Sequence, residues 1–174
     1  SAWFDAVAAE PYGFDASPDG DEGFGRSRAL RAVMERHGDR STPLWAVAFG
    51  WNALPAGWRG RPSIWGQVDE AMQAAYLRQA VMRARREWPW MGPMLWATLQ
   101  PPVPEDDPWW GFALWGPDGS PRAAWDALVE VSGLPDRVGL GTHRPDHPAL
   151  RYQGEWRVTP MAADIGRTGD RLVI

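Results

Sequence analysis

The chain holds thirteen tryptophans among 174 residues. Each offers a flat apolar face and a single N–H donor. Sugar rings present flat C–H faces and many hydroxyls, so a cleft walled by Trp suits a carbohydrate. A bulky core uses the same residue, and composition alone divides evenly between the two. Two short motifs stand at the ends of apolar runs: Glu10-Pro11-Tyr12 after the first, and Trp51-Asn52 at the close of the second. Glu105, Asp106 and Asp107 are three adjacent acids, a pattern more often solvated charge in an exposed loop than a cation site. His143 and His147 stand four apart around Asp146, but Pro145 and Pro148 argue against the helix such a ligand pair needs. Gly20, Gly23 and Gly25 form no phosphate loop, since no strand leads into them and no Lys follows. Cys is absent, which excludes disulfides and thiolate metal sites. We expect no metal and no cofactor.

These residues are placed by an alternation of strands and helices. Residues 2–9 are an apolar run closed by the Pro11-Tyr12-Gly13 turn signal, and read as a buried strand. A helix is expected over about 24–37, with Leu30, Val33 and Met34 inward and Gly38 as its C-cap. Residues 43–51 lack polar alternation, as a parallel strand covered on both faces does. A long loop over 52–66 leads to a second helix over about 67–87, with Arg83 among its wet-side residues. Residues 91–99 read as a third strand, 111–115 as a short strand, and 121–132 as a third helix with Pro121 in its first turn. Strand–helix alternation is the signature of βα units and a parallel sheet. Long loops follow the C-terminal ends of the strands, which is where α/β barrels carry their sites.

A chain this long can hold one ordinary domain, but a complete (β/α)8 barrel needs about 250 residues. The chain opens in apolar sequence at Ser1 and ends in Arg171-Leu172-Val173-Ile174, so we expect a piece of a longer polypeptide. The net charge of −4 and the absence of a basic stripe argue against a nucleic-acid partner. No apolar run reaches the length of a membrane span. All 18 basic residues are Arg and Asn occurs once, a bias that a GC-rich genome explains. Past Gly133 the composition shifts. The organisation expected is an α/β domain over 1–133, a Pro/Gly/His linker over 134–150, and the first strands of an all-β unit over 151–174.

The segment Leu44-Trp45-Ala46-Val47-Ala48-Phe49-Gly50-Trp51 resembles the seventh strand of clan A glycoside hydrolases, cellulase-like and family 39 β-xylosidase-like. That strand commonly reads P-hydrophobic-W-hydrophobic-T-E-F-G-W. Asp5 with Pro11-Tyr12-Gly13, the strand holding Trp96, and the GFALWGPDGSPRAAWDAL ending are similar to the flanking units. The resemblance covers residues 2–132 and implies the C-terminal three βα units, six to eight, of a TIM barrel. Tyr152, Gly154, Trp156 and Arg157 resemble the opening of an appended β-sandwich module.

The resemblance implies a retaining mechanism, in which one carboxylate attacks the anomeric carbon and another protonates the leaving oxygen, about 5–5.5 Å apart. Aligned on F-G-W, the nucleophile position holds Ala48, whose methyl group cannot attack. The acid/base belongs to strand four, outside this chain. Tyr12 fits the position whose hydroxyl contacts the nucleophile, and Glu10 is a candidate replacement carboxylate. Trp51 and Trp96 are candidates for sugar stacking, Asn52 for a hydrogen bond to a hydroxyl, and Trp58, Trp65, Trp109 and Trp110 for the cleft walls. Against each stands simple packing. The expected partners are an oligo- or polysaccharide and the remainder of its own barrel in a longer chain, in an extracellular or cell-surface setting. Three readings remain open: a silenced carbohydrate-binding barrel, an active hydrolase using a carboxylate such as Glu10, and a non-enzymatic cell-surface interaction domain.

Overall fold

Three apolar runs form the strands of one parallel sheet: β1 (Val7–Ala9), β2 (Leu44–Phe49) and β3 (Met91–Trp96). Their order is β1-β2-β3, so β2 is central. The computed structural model describes residues 4–132 and the backbone of 151–152 and 156–157. β1 aligns Val7, Ala8 and Ala9 with Leu44, Trp45 and Ala46. Between β2 and β3 the register slips twice, once between Leu44 and Ala46 and again between Ala46 and Phe49. The second irregularity sits where Ala48 stands, and a bulge re-aims the side chains around it.

A 3₁₀ turn (Gly23–Arg26) leads into α1 (Ser27–Arg36), and Gly38 follows with φ 87°. At this left-handed position Gly38 lets its own amide reach the Glu35 carbonyl at 3.2 Å and Asp39 reach Met34 at 2.9 Å. Met34 is buried as expected, whereas Val33 is exposed. α2 (Glu70–Glu87) starts where the Asp69 carboxylate accepts from the Met72 amide at 2.7 Å. Its buried positions Ala74, Leu77, Ala80, Val81 and Ala84 repeat at helical spacing and pack with Ala46 and Phe49 of the sheet.

Arg83, expected on the wet side of α2, is buried. Its guanidinium donates to the carbonyls of Pro18 and Gly20, and lies 5.0 Å from the Trp88 ring. A long side chain with five donors can satisfy the loop after β1 from inside the core, so counting charge as solvent-facing fails there. α3 (Ala123–Ser132) covers the core with Ala124, Ala127 and Val131.

Residues 111–115, expected to form a strand, are divided. Asp107 accepts from the Trp109 amide at 2.9 Å and Pro108 takes the first position of a 3₁₀ turn running to Phe112. Ala113 then makes an isolated parallel bridge with Thr98, and Trp115 an antiparallel one with Pro121.

One sheet face is packed and the other is open. Leu44 and Ala46 are fully buried, while Trp45 between them is 41 % exposed. Leu95 is 43 % exposed, flanked by Met94 and Trp96, which pack on the core. Successive strand residues point to opposite faces, so the helices cover one side only. A second compact unit runs from Ser132 to Ile174. In it β4 (Arg151–Tyr152) and β5 (Trp156–Arg157) pair antiparallel. The rest of the expected β-module and the 134–150 linker, with His143 and His147, lie outside the described residues.

Candidate functional site

The C-terminal ends of the strands converge on Gly50. Tyr12 bridges to Gly50, and the Gly13 amide donates to the Gly50 carbonyl at 2.9 Å, so the end of β1 is carried onto the end of β2. A side chain at Gly50 would press on Phe112 and Trp96, at 3.2 and 3.3 Å from its Cβ. Above this point four aromatic rings meet. Phe112 is fully buried at the centre. Tyr12 lies 5.2 Å from it and Trp65 5.5 Å, and Trp109 stands edge-on to Trp65 at 5.4 Å. Trp96 donates its indole N–H to the Phe112 carbonyl at 2.7 Å and packs edge-on to Phe49. Tyr12, Trp65, Trp96 and Trp109, expected in the site, are therefore brought together, each half-buried.

Ala48 is half-buried within the irregular stretch of β2. Glu10 is exposed and lines a cavity of ≈ 260 Å³ with Tyr12, Phe14, Arg26 and Ser27. Burial, and then the Glu10 carboxylate, raise the pKa of the Tyr12 hydroxyl above a tyrosine's ordinary 10.0.

Two expected sugar contacts are corrected. Trp51 is fully buried, not at the surface. Its indole N–H donates to the Ala16 carbonyl at 2.8 Å, and its rings pack on Phe24, Tyr76 and Gly13. Asn52 is likewise fully buried and donates to the Pro108 carbonyl at 2.8 Å. A Cβ on Gly111 would overlap its carboxamide, so Asn52 fastens the loop after β2 to the loop after β3.

Trp58 and Trp110, expected to wall the same cleft as the others, line a separate cavity of ≈ 460 Å³ between the two loops. Trp109 and Trp110 are successive residues of the 3₁₀ turn, about 120° apart at three residues per turn. One therefore joins the cluster around Phe112 and the other faces away from it. Of the three adjacent acids, Asp107 caps the turn and pairs with Arg61, the Asp106 carbonyl accepts from the Arg61 amide at 2.9 Å, and Glu105 lines the cavity.

Two organising residues escaped sequence reasoning. Phe112 was hidden by the strand assignment; the Asp107-Pro108 start signal would have found its turn. Arg122 donates to Glu70 at 2.9 Å and to the carbonyls of Trp110, Ala113 and Ala53 at 2.9, 3.1 and 2.5 Å. It lies in the GFALWGPDGSPRAAWDAL ending, but its role is not legible locally, because its partners lie up to 69 residues away.

The described part of the chain thus joins parallel βα units by aromatic-rich loops at the strands' C-terminal ends. Among solved structures it is similar to a family 39 glycoside hydrolase from the gut symbiont Bacteroides cellulosilyticus WH2, at 22 % identity and a TM-score of 0.53. The match covers 75 % of this chain and 27 % of that one. A Faecalibacterium prausnitzii β-glucuronidase is also similar, at 16 % identity and a TM-score of 0.47, covering 76 % of this chain and 22 % of that one. The chain thus spans about a quarter of the length of each. No protein-family profile matches the sequence, and no curated protein matches it significantly. Among the described residues no helix is long and apolar enough to cross a membrane.

Proposed function

We propose that this chain is the closing part of a glycoside hydrolase-like barrel that binds an oligo- or polysaccharide and is silenced as a catalyst. The observation that carries the reading is the Tyr12–Trp65–Trp109 ring cluster at the strand ends, beside a strand whose expected nucleophile position holds Ala48. Half-buried indoles offer faces to a sugar ring, while a methyl group at residue 48 offers no electron pair to an anomeric carbon. The open face with Trp45 and Leu95 is then covered by the remaining strands of the same barrel in a longer polypeptide, in an extracellular or cell-surface setting.

The test is hydrolysis of aryl β-glycosides by the full-length polypeptide, as it stands and as Ala48→Glu. Aryl leaving groups need little help from a general acid, so the readout isolates the nucleophile. Turnover only with Glu at residue 48 supports the reading. Turnover with Ala48 in place overturns the silencing.

One observation favours a second reading, an active hydrolase using Glu10. Its carboxylate lines the same cavity as Tyr12 and, after burial, helps to raise the pKa of the Tyr12 hydroxyl. If Glu10 is the nucleophile, Glu10→Gln abolishes whatever turnover the unaltered protein shows.

A further inference from the structure

The loops after β2 and β3 enclose a cavity that shares no ring contact with the cluster around Tyr12. Its lining includes the aromatic rings of Trp58 and Trp110 and the charged side chains of Glu70, Glu105 and Arg122. At ≈ 460 Å³ it lies at the small end of the range for ligand pockets, about 300–1,000 Å³.

The hydrogen bonds within the loops determine what the cavity offers. Trp58 donates its indole N–H to the Arg61 carbonyl at 2.8 Å. Trp110 donates to the Pro104 carbonyl at 3.1 Å. Both indole donors are used internally, which fixes the two rings where they line the cavity. Arg122 sends its donors to Glu70 and to three backbone carbonyls, so an anion finds no free cation. Glu70 is neutralised by the same pair, and Glu105 is exposed. The cavity thus combines two fixed indoles with the Glu105 carboxylate as an acceptor. That set matches a neutral ring with C–H faces and donating hydroxyls.

We propose that this cavity is a second saccharide subsite, separate from the cluster around Tyr12, seating one pyranose ring of a longer glycan against Trp58 and Trp110. The proposal rests on the carbohydrate-binding reading above, and extends the footprint of the bound chain onto the outer side of the loops.

The experiment follows the indole N–H resonances of the full-length protein by NMR during titration with xylohexaose and with cellohexaose. Either sugar is expected to shift Trp58 and Trp110, and Trp58→Ala to weaken its binding about tenfold. Trp65→Ala is expected to cause a further loss, because the two sites hold different rings of one glycan. Glu105→Gln, on an exposed side chain, serves if Trp58→Ala fails to fold. Severalfold weaker binding with an unchanged melt supports the subsite, and unchanged affinity overturns it. A hexasaccharide that shifts Trp65 and Trp109 alone overturns the subsite and leaves carbohydrate binding standing. If neither sugar shifts any indole, both readings fall. Shifts of Trp58 and Trp110 with tetramethylammonium but with neither sugar overturn the saccharide assignment in favour of a cation.

Discussion

Gly13 lies flat against the indole of Trp51, so closely that a Cβ on Gly13 would overlap the ring. The loop after β1 is thereby seated on the end of β2. Gly13→Ala should destabilise the protein by about 1–3 kcal/mol, as overpacking of a filled core does. Urea denaturation measures this, and an unchanged midpoint would show that the ring has room to move.

Trp51 itself acts in the core. Trp51→Ala removes the largest fully buried side chain among the described residues and leaves the Ala16 carbonyl without its donor. The expected cost is about 3–5 kcal/mol. A well-folded Trp51→Ala protein with normal stability and lost sugar binding would restore the sugar-stacking role.

The Tyr12 hydroxyl should ionise later than ordinary phenols, because burial and then Glu10 raise its pKa. The folded protein keeps this proton where an unfolded chain has lost it. The stability linked to Tyr12 is therefore fully present below the unfolded value of 10.0 and is lost as pH rises through the raised one. Alkaline titration of tyrosinate absorbance, taken as a difference against Tyr12→Phe, reads this directly. Glu10→Gln should bring the transition earlier. A transition that does not move would remove Glu10 from the neighbourhood of the hydroxyl.

Arg122→Lys should cost about 1–3 kcal/mol despite keeping the charge. A lysine cannot reproduce a planar fork that serves Glu70 and three carbonyls at once, and buried acceptors left unpaired are costly. Comparison of the melts of Arg122→Lys and Glu70→Gln separates the two contributions. Equal, small losses would mean that the carbonyl contacts contribute little.

Much of the fold was legible because apolar runs and helix signals are local. The strands around Val7, Leu44 and Met91 and the helices over 27–36, 70–87 and 123–132 follow the pattern of the sequence. The roles of individual tryptophans were less legible. Period-two counting assigns a face only while the register holds, and β2 slips between Ala46 and Phe49, just before Trp51. Trp109 and Trp110 look equivalent in sequence, yet the 3₁₀ turn started by Asp107-Pro108 separates them. Arg83 reads as surface charge, and the role of Arg122 is hidden, because the carbonyls they serve are far away in the chain.

The fork of Arg122 also sets how the two loops can open to solvent. The Ala53 amide donates to the Gly111 carbonyl, the Ala113 amide to that of Trp110, and one guanidinium holds the carbonyls of Ala53, Trp110 and Ala113. Neither amide can be released alone without disturbing the same cation. Their hydrogen exchange should follow a single opening free energy shared by two segments almost sixty residues apart, so that the loops fluctuate as one cooperative unit.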